Sequence, residues 1–126
     1  MGLFFKKKNQ AEPEWTVRLG DVEHKVRNAD VFESNIDDAL TDVEMGNVEF
    51  LVLSPSKPVN GFTFLQTCPD EEEGYLHIEA GMDKMNADGR IKIVCHDHFT
   101  TGEVLDLFIT FFRNQTIDVG GWYELV

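Results

Sequence analysis

Between residues 48 and 96, four short apolar or alternating runs follow one another with only short polar connections between them, and this pattern constrains the fold most. The runs cover residues 48–53, 62–68, 75–80 and 91–96. Pro55, Pro58 and Asn60-Gly61 punctuate the first connection, and residues 69–74 (Pro-Asp-Glu-Glu-Glu-Gly) form the second. Asn86 with Asp88-Gly89 marks the third. Gly and Asn accept φ > 0 and Pro removes an amide donor, so these residues end regular structure. Successive strands joined by short turns pair antiparallel, as a meander. In the third run, Leu76 and Ile78 fall on one face and Tyr75, His77 and Glu79 on the other, because side chains alternate along a strand.

Upstream, Trp15, Val17 and Leu19 alternate with polar residues, Gly20-Asp21 turns the chain, and Val22, His24 and Val26 continue the alternation. This is a β-hairpin pattern. Asp30 with Glu33 has capping-box spacing, and Phe32, Ile36, Ala39, Leu40 and Val43 form one apolar helical stripe that ends before Gly46. A second cap signal, Thr100 with Glu103, precedes Val104, Leu105, Phe108, Phe111 and Phe112. Leu107 and Ile109 widen that stripe beyond the needs of a surface helix. Residues 122–126 read as a final strand or docked tail. The order is ββ-α-ββββ-α-β, which predicts an α+β fold: one mostly antiparallel sheet with two helices packed on one face. Residues 14–126 form a single domain on this reading, and residues 1–13 a basic N-terminal arm and linker.

A chain of 126 residues with 42% hydrophobic residues, ten of them Phe, can bury a core without disulfide or metal staples. Its net charge of −12 is unevenly spread: residues 1–27 hold six Lys or Arg against four Asp or Glu, and residues 28–126 hold five against nineteen. Nucleic-acid binding needs clustered Lys and Arg for phosphate contact, so this balance argues against such a partner. It favours attraction to basic partners. No apolar run is long enough to span a bilayer. The start, Met1-Gly2-Leu3-Phe4-Phe5-Lys6-Lys7-Lys8, lacks the order of a signal peptide and has Lys6 where myristoylation wants Ser or Thr. It reads as a solvated tail, with weak membrane-surface or partner contact as the functional alternative. Two cysteines, Cys68 and Cys95, with no CxxC, read as free thiols in a reducing, bacterial-style cytoplasm.

The one dense constellation is Cys95-His96-Asp97-His98. If Ile91, Ile93 and Cys95 face the core, His96 and His98 face outward beside His77, and three imidazoles on one face would bind zinc or another divalent ion. Solvated histidines at a strand end are the simpler expectation. A disulfide between Cys68 and Cys95 is not expected, since an intervening strand separates theirs by ~9.6 Å. A cysteine nucleophile paired with His96 or His98 needs an electropositive setting, and this one is acidic. No nucleophile elbow, phosphate loop, dinucleotide fingerprint or calcium loop is present.

The remaining candidates are acidic. Glu33, Asp37, Asp38, Asp42 and Glu44 share the polar face of the first helix, no Lys or Arg lies between Arg27 and Lys57, and residues 70–73 add a second acidic cluster. A solubilising face is the bland expectation. The functional one is a docking surface for a basic protein, as in an inhibitor or immunity-type protein. Binding fits these residues better than catalysis. A divalent-metal domain or metal-dependent enzyme using His77, His96 and His98 is the first alternative, and a self-associating domain the second. No catalytic residue and no resident cofactor other than that ion is expected.

Overall fold

The computed structural model describes residues 12–125. The expectations for residues 1–11 and for Val126 lie outside them. The elements are β1 (Trp15–Leu19), β2 (Val22–Lys25), α1 (Ala29–Glu44), β3 (Leu51–Pro55), β4 (Phe62–Pro69), β5 (Leu76–Met85), β6 (Ile91–Phe99), α2 (Thr101–Asn114) and β7 (Tyr123–Glu124). The strands form one seven-stranded antiparallel sheet in the order β2-β1-β3-β4-β5-β6-β7. The order of elements and the α+β class agree with the sequence pattern. No helix among the described residues is long and apolar enough to cross a membrane.

Register decides which residues reach the core. Leu53, Leu65, Ala80 and Val94 stand opposite one another across β3 to β6. Cross-strand partners share a face, and these four are buried with Phe32, Ile36, Leu40 and Val43 of α1 and Val104, Phe108 and Phe111 of α2. Both helices therefore cover the same side of the sheet. Trp15 stands edge-on to Phe111 and Phe112, and Phe32 packs on Phe112 at 4.6 Å between ring centres. Arg113 of α2 makes a bidentate ion pair with Glu33 of α1. The widened stripe of α2 is used within the fold: Leu105, Leu107, Ile109 and Phe112 are half-buried against the core.

Four boundaries differ from the sequence pattern. The cap of α1 is Asn28, whose side-chain oxygen accepts from the Asp30 and Val31 amides at 2.9 and 3.2 Å. Asp30 is thus inside the first turn, and Glu33 turns to Arg113 instead of closing a capping box. The third strand begins at Leu51, not residue 48, because the Asn47 and Val48 amides still donate to the Asp42 carbonyl as the helix unwinds. The fifth and sixth strands run on to Met85 and Phe99 through register shifts. The cap of α2 matches its signal, with Thr100 and Glu103 bonding reciprocally.

Candidate functional site

The uncovered face of the sheet carries the polar side chains. Opposite pairs Cys68↔His77, Glu79↔Cys95 and Cys95↔Tyr123 bring residues of β4, β5, β6 and β7 together there. The end of β6 is re-aimed by a bulge: Ile78 pairs with His96 and Leu76 with Phe99, so β6 carries one extra residue. That residue is His98, held at φ 62°, a left-handed conformation that His adopts more readily than most residues. Its amide donates to Asp70 Oδ2 at 2.6 Å. The Asp70 carboxylate also accepts from the Glu72 amide. Burial would raise its pKa, but these backbone hydrogen bonds and the neighbouring His98 outweigh it and hold the carboxyl below its ordinary range.

His77 stands between two carboxylates, with Nδ1 2.5 Å from Asp97 Oδ1 and Nε2 2.9 Å from Glu79 Oε2. Both contacts are hydrogen bonds together only when both nitrogens carry protons, so the geometry suits an imidazolium. Burial alone would push the imidazole down. Hydrogen bonds to Asp97 and Glu79, with their charges, overcome that and hold its pKa above the ordinary value. The Tyr123 hydroxyl donates to Asp97 Oδ2 at 2.7 Å. The bonds from His77 and Tyr123 keep the Asp97 carboxyl low, and donation to Asp97 pushes the Tyr123 phenol up to about 12.

Cys95 is buried in this cluster but on the uncovered face, not with the core as the sequence suggested, because its cross-strand partner is Glu79 and not Ala80. Burial, then the charges of Glu79 and Asp97, push its thiol up to about 12. Burial and nearby carboxylates raise Cys68 as well. Neither thiol has the electropositive surroundings that make a cysteine nucleophile. Both are free, on strands separated by β5. One ligand atom each from His77, Glu79 and Cys95 lie within 4.8 Å of one another.

The three imidazoles of the metal-binding alternative do not share one face. His96 shares the core-side face with Ile78, stacks on Phe99 at 4.4 Å, and donates from Nδ1 to the Asp97 carbonyl. His98, at the bulge, lies 3.2 Å from Glu72 Oε2. His77 and His98 do line one depression of about 330 Å³, with Cys68, Asp70, Asp97 and Tyr123.

Across the 70–73 loop lies a second, larger cleft of about 550 Å³, where residues 69–75 meet Glu44, Met45 and Gly46 at the end of α1. Glu44, Asp70, Glu71, Glu72 and Glu73 line it and no Lys or Arg does, though the Asp70 side chain is only 4% exposed. Met45, 68% exposed, and Tyr75 supply apolar surface there. The five acidic residues singled out on α1 divide into different settings. Glu33 is occupied by Arg113, and Glu44 accepts from the Thr101 hydroxyl at 2.9 Å. Asp42 is half-buried, while Asp37 and Asp38 are exposed.

Sequence reasoning missed Glu79 and Asp97 as partners of His77, and Tyr123 as the donor that holds Asp97. Glu79, two residues along the same strand face, was the available signal. Asp97 and Tyr123 arrive through the bulge and through β7 pairing, which no local pattern announces. Neither a protein-family model, nor a curated protein, nor a solved structure matches the chain.

Proposed function

We propose that the protein is an interaction module whose acidic end docks a basic segment of another protein, in the manner of an inhibitor or immunity-type protein. The observation that carries this reading is the cleft between the end of α1 and the 70–73 loop: the acidic residues Glu44, Glu71, Glu72 and Glu73 line it with Met45 and Tyr75, and no Lys or Arg does. Two acidic segments some 30 residues apart in sequence meet there. Like charges brought together repel, so a cluster of this kind makes the local potential more negative and attracts a positively charged surface. An apolar patch inside a charged rim is the arrangement in which an Arg or Lys stem packs while its head pairs. Asp37, Asp38 and Asp42 extend the same sign along α1 and steer the encounter; Glu33 stays with Arg113.

The test is affinity capture from the native lysate with three baits of known charge: the wild type, a cleft variant (E71Q/E72Q/E73Q), and a control of equal charge change away from the cleft (D83N/D88N/D118N). A basic protein held by the wild type and the control, released at moderate salt and lost from the cleft variant, is the expected result. Partners that bind all three baits equally, or that are lost equally from both variants, would sink the assignment of docking to this cleft.

A further inference from the structure

We propose that His77, Glu79 and Cys95 form a binding site for a borderline-soft divalent cation of the zinc class. The three side chains come from two adjacent strands and one face: His77 and Glu79 are two apart on β5, and Cys95 is directly opposite Glu79 on β6. Their ligand atoms already lie within 4.8 Å of one another. Zinc bonds of about 2.0–2.3 Å at tetrahedral angles set ligand atoms about 3.3–3.6 Å apart. The His77 Nε2 to Glu79 Oε2 distance of 2.9 Å would open slightly, and the sulfur would close in by little more than an ångström. Side-chain rotation about strands that stay paired supplies movements of that size.

The surroundings are those of a metal ligand rather than of a surface histidine. A metal-bound imidazole turns its other nitrogen to a carboxylate, which fixes the ring and its tautomer. Here Asp97 takes Nδ1, and the Tyr123 hydroxyl in turn holds Asp97. Nε2, the nitrogen left for a metal, points to Glu79, whose cross-strand partner is Cys95. Thiolate with imidazole and carboxylate suits zinc and the later divalent transition metals; magnesium and calcium take oxygen ligands. Three protein ligands leave one coordination position open. Glu79 and His77 are partly exposed, at 21% and 18% of their side-chain surface, so an ion reaches Cys95 from the uncovered face.

The exchange balances. On binding, the Cys95 S–H and the His77 Nε2–H each lose a proton to solvent, the Nε2–H···Glu79 bond is replaced, and the cation takes over as the positive charge between Glu79 and the Asp97-bound ring. This site is separate from the acidic cleft, and its assignment does not depend on the docking reading.

The experiment uses the full chain stripped with chelator and then titrated with Co²⁺ and, separately, with Zn²⁺. Expected are a saturable 1:1 thiolate-to-cobalt charge-transfer band, a rise in Tm with stoichiometric zinc, and no comparable rise with Mg²⁺ or Ca²⁺. The band should survive Cys68→Ser and vanish in Cys95→Ser. No thiolate band in the wild type overturns the proposal without recourse to any variant. So does a band that follows Cys68, or equal stabilisation by calcium, which would place cation binding on the exposed carboxylates.

Discussion

Gly81 is the position where the uncovered face of the sheet is most sensitive to one methyl group. It lies opposite Phe64 on β4, and a Cβ added there would stand 2.1 Å from Phe64 Cε2, 2.4 Å from Cδ2 and 2.7 Å from Thr63 Oγ1. Carbon atoms pack at about 3.5–4.0 Å, so in Gly81→Ala the Phe64 ring must retreat by more than ~1 Å. The ring lies over the glycine in the space of the missing side chain, the aromatic rescue seen in sheets. Displacing it costs about 1–3 kcal/mol, the range for overpacked sites. Alanine restricts the unfolded chain and returns about 0.4–1 kcal/mol, since Gly81 does not have a positive φ. The net expectation is a loss of about 0–2.6 kcal/mol, or a Tm lower by up to ~10 °C for a chain this long. Urea unfolding followed by Trp15 and Trp122 fluorescence measures it, with Phe64→Leu as the second arm of a double-mutant cycle. Leucine leaves room beside the new methyl, so the alanine penalty should shrink by about 1 kcal/mol in that background. A Gly81→Ala effect unchanged by Phe64→Leu would refute the steric account.

Asn28→Ala should cost about 1 kcal/mol through loss of the α1 cap, while Asp30→Ala should cost clearly less; equal losses in urea titrations would contradict the assigned cap. Asp70, with its carboxyl held below the unfolded value of about 3.9, contributes stability that is complete above that value and is lost as pH falls through the folded one. Unfolding free energies measured from neutral pH down to pH ~2.5 should therefore drop more steeply for the wild type than for Asp70→Asn, and parallel curves would remove this role. Phe108, fully buried between sheet and helices, should cost about 3–5 kcal/mol on replacement by Ala, read by the same titration; a loss under ~1 kcal/mol would mean that α2 is not seated as described. Cys95, buried with its thiol pushed up to about 12, should resist alkylation at neutral pH in the native metal-free protein and react once the chain is unfolded, as counted by intact mass; rapid native labelling would contradict its burial.

Much of the fold was legible in the residues themselves. The period-two runs, the Gly and Asn turns, the Thr100–Glu103 cap and the two apolar stripes are local signals, and local backbone preference carries them into the structure with only their ends shifted. The meander followed as well, because short connections leave successive strands only antiparallel pairing. The faces of β6 were not legible. Strand periodicity says that neighbours alternate but not which set faces inward; a one-residue choice exchanges every side chain. Pairing with β5 made that choice, burying Val94 toward the helices and placing Cys95 beside Glu79 on the other face. Register turned His96 to the core side and the bulge at His98 broke the alternation, so of the three histidines that sequence spacing placed together only His77 and His98 line one depression. Carboxylates distant in sequence were brought to one cleft because α1 ends beside the turn joining β4 and β5. The sequence by itself determined the elements, their order and the sign of the surface charge, since those depend on residue type and near neighbours. Register, the bulge and the docking of β7 decided which of those residues meet, because long-range pairing sets these contacts and no local pattern encodes them.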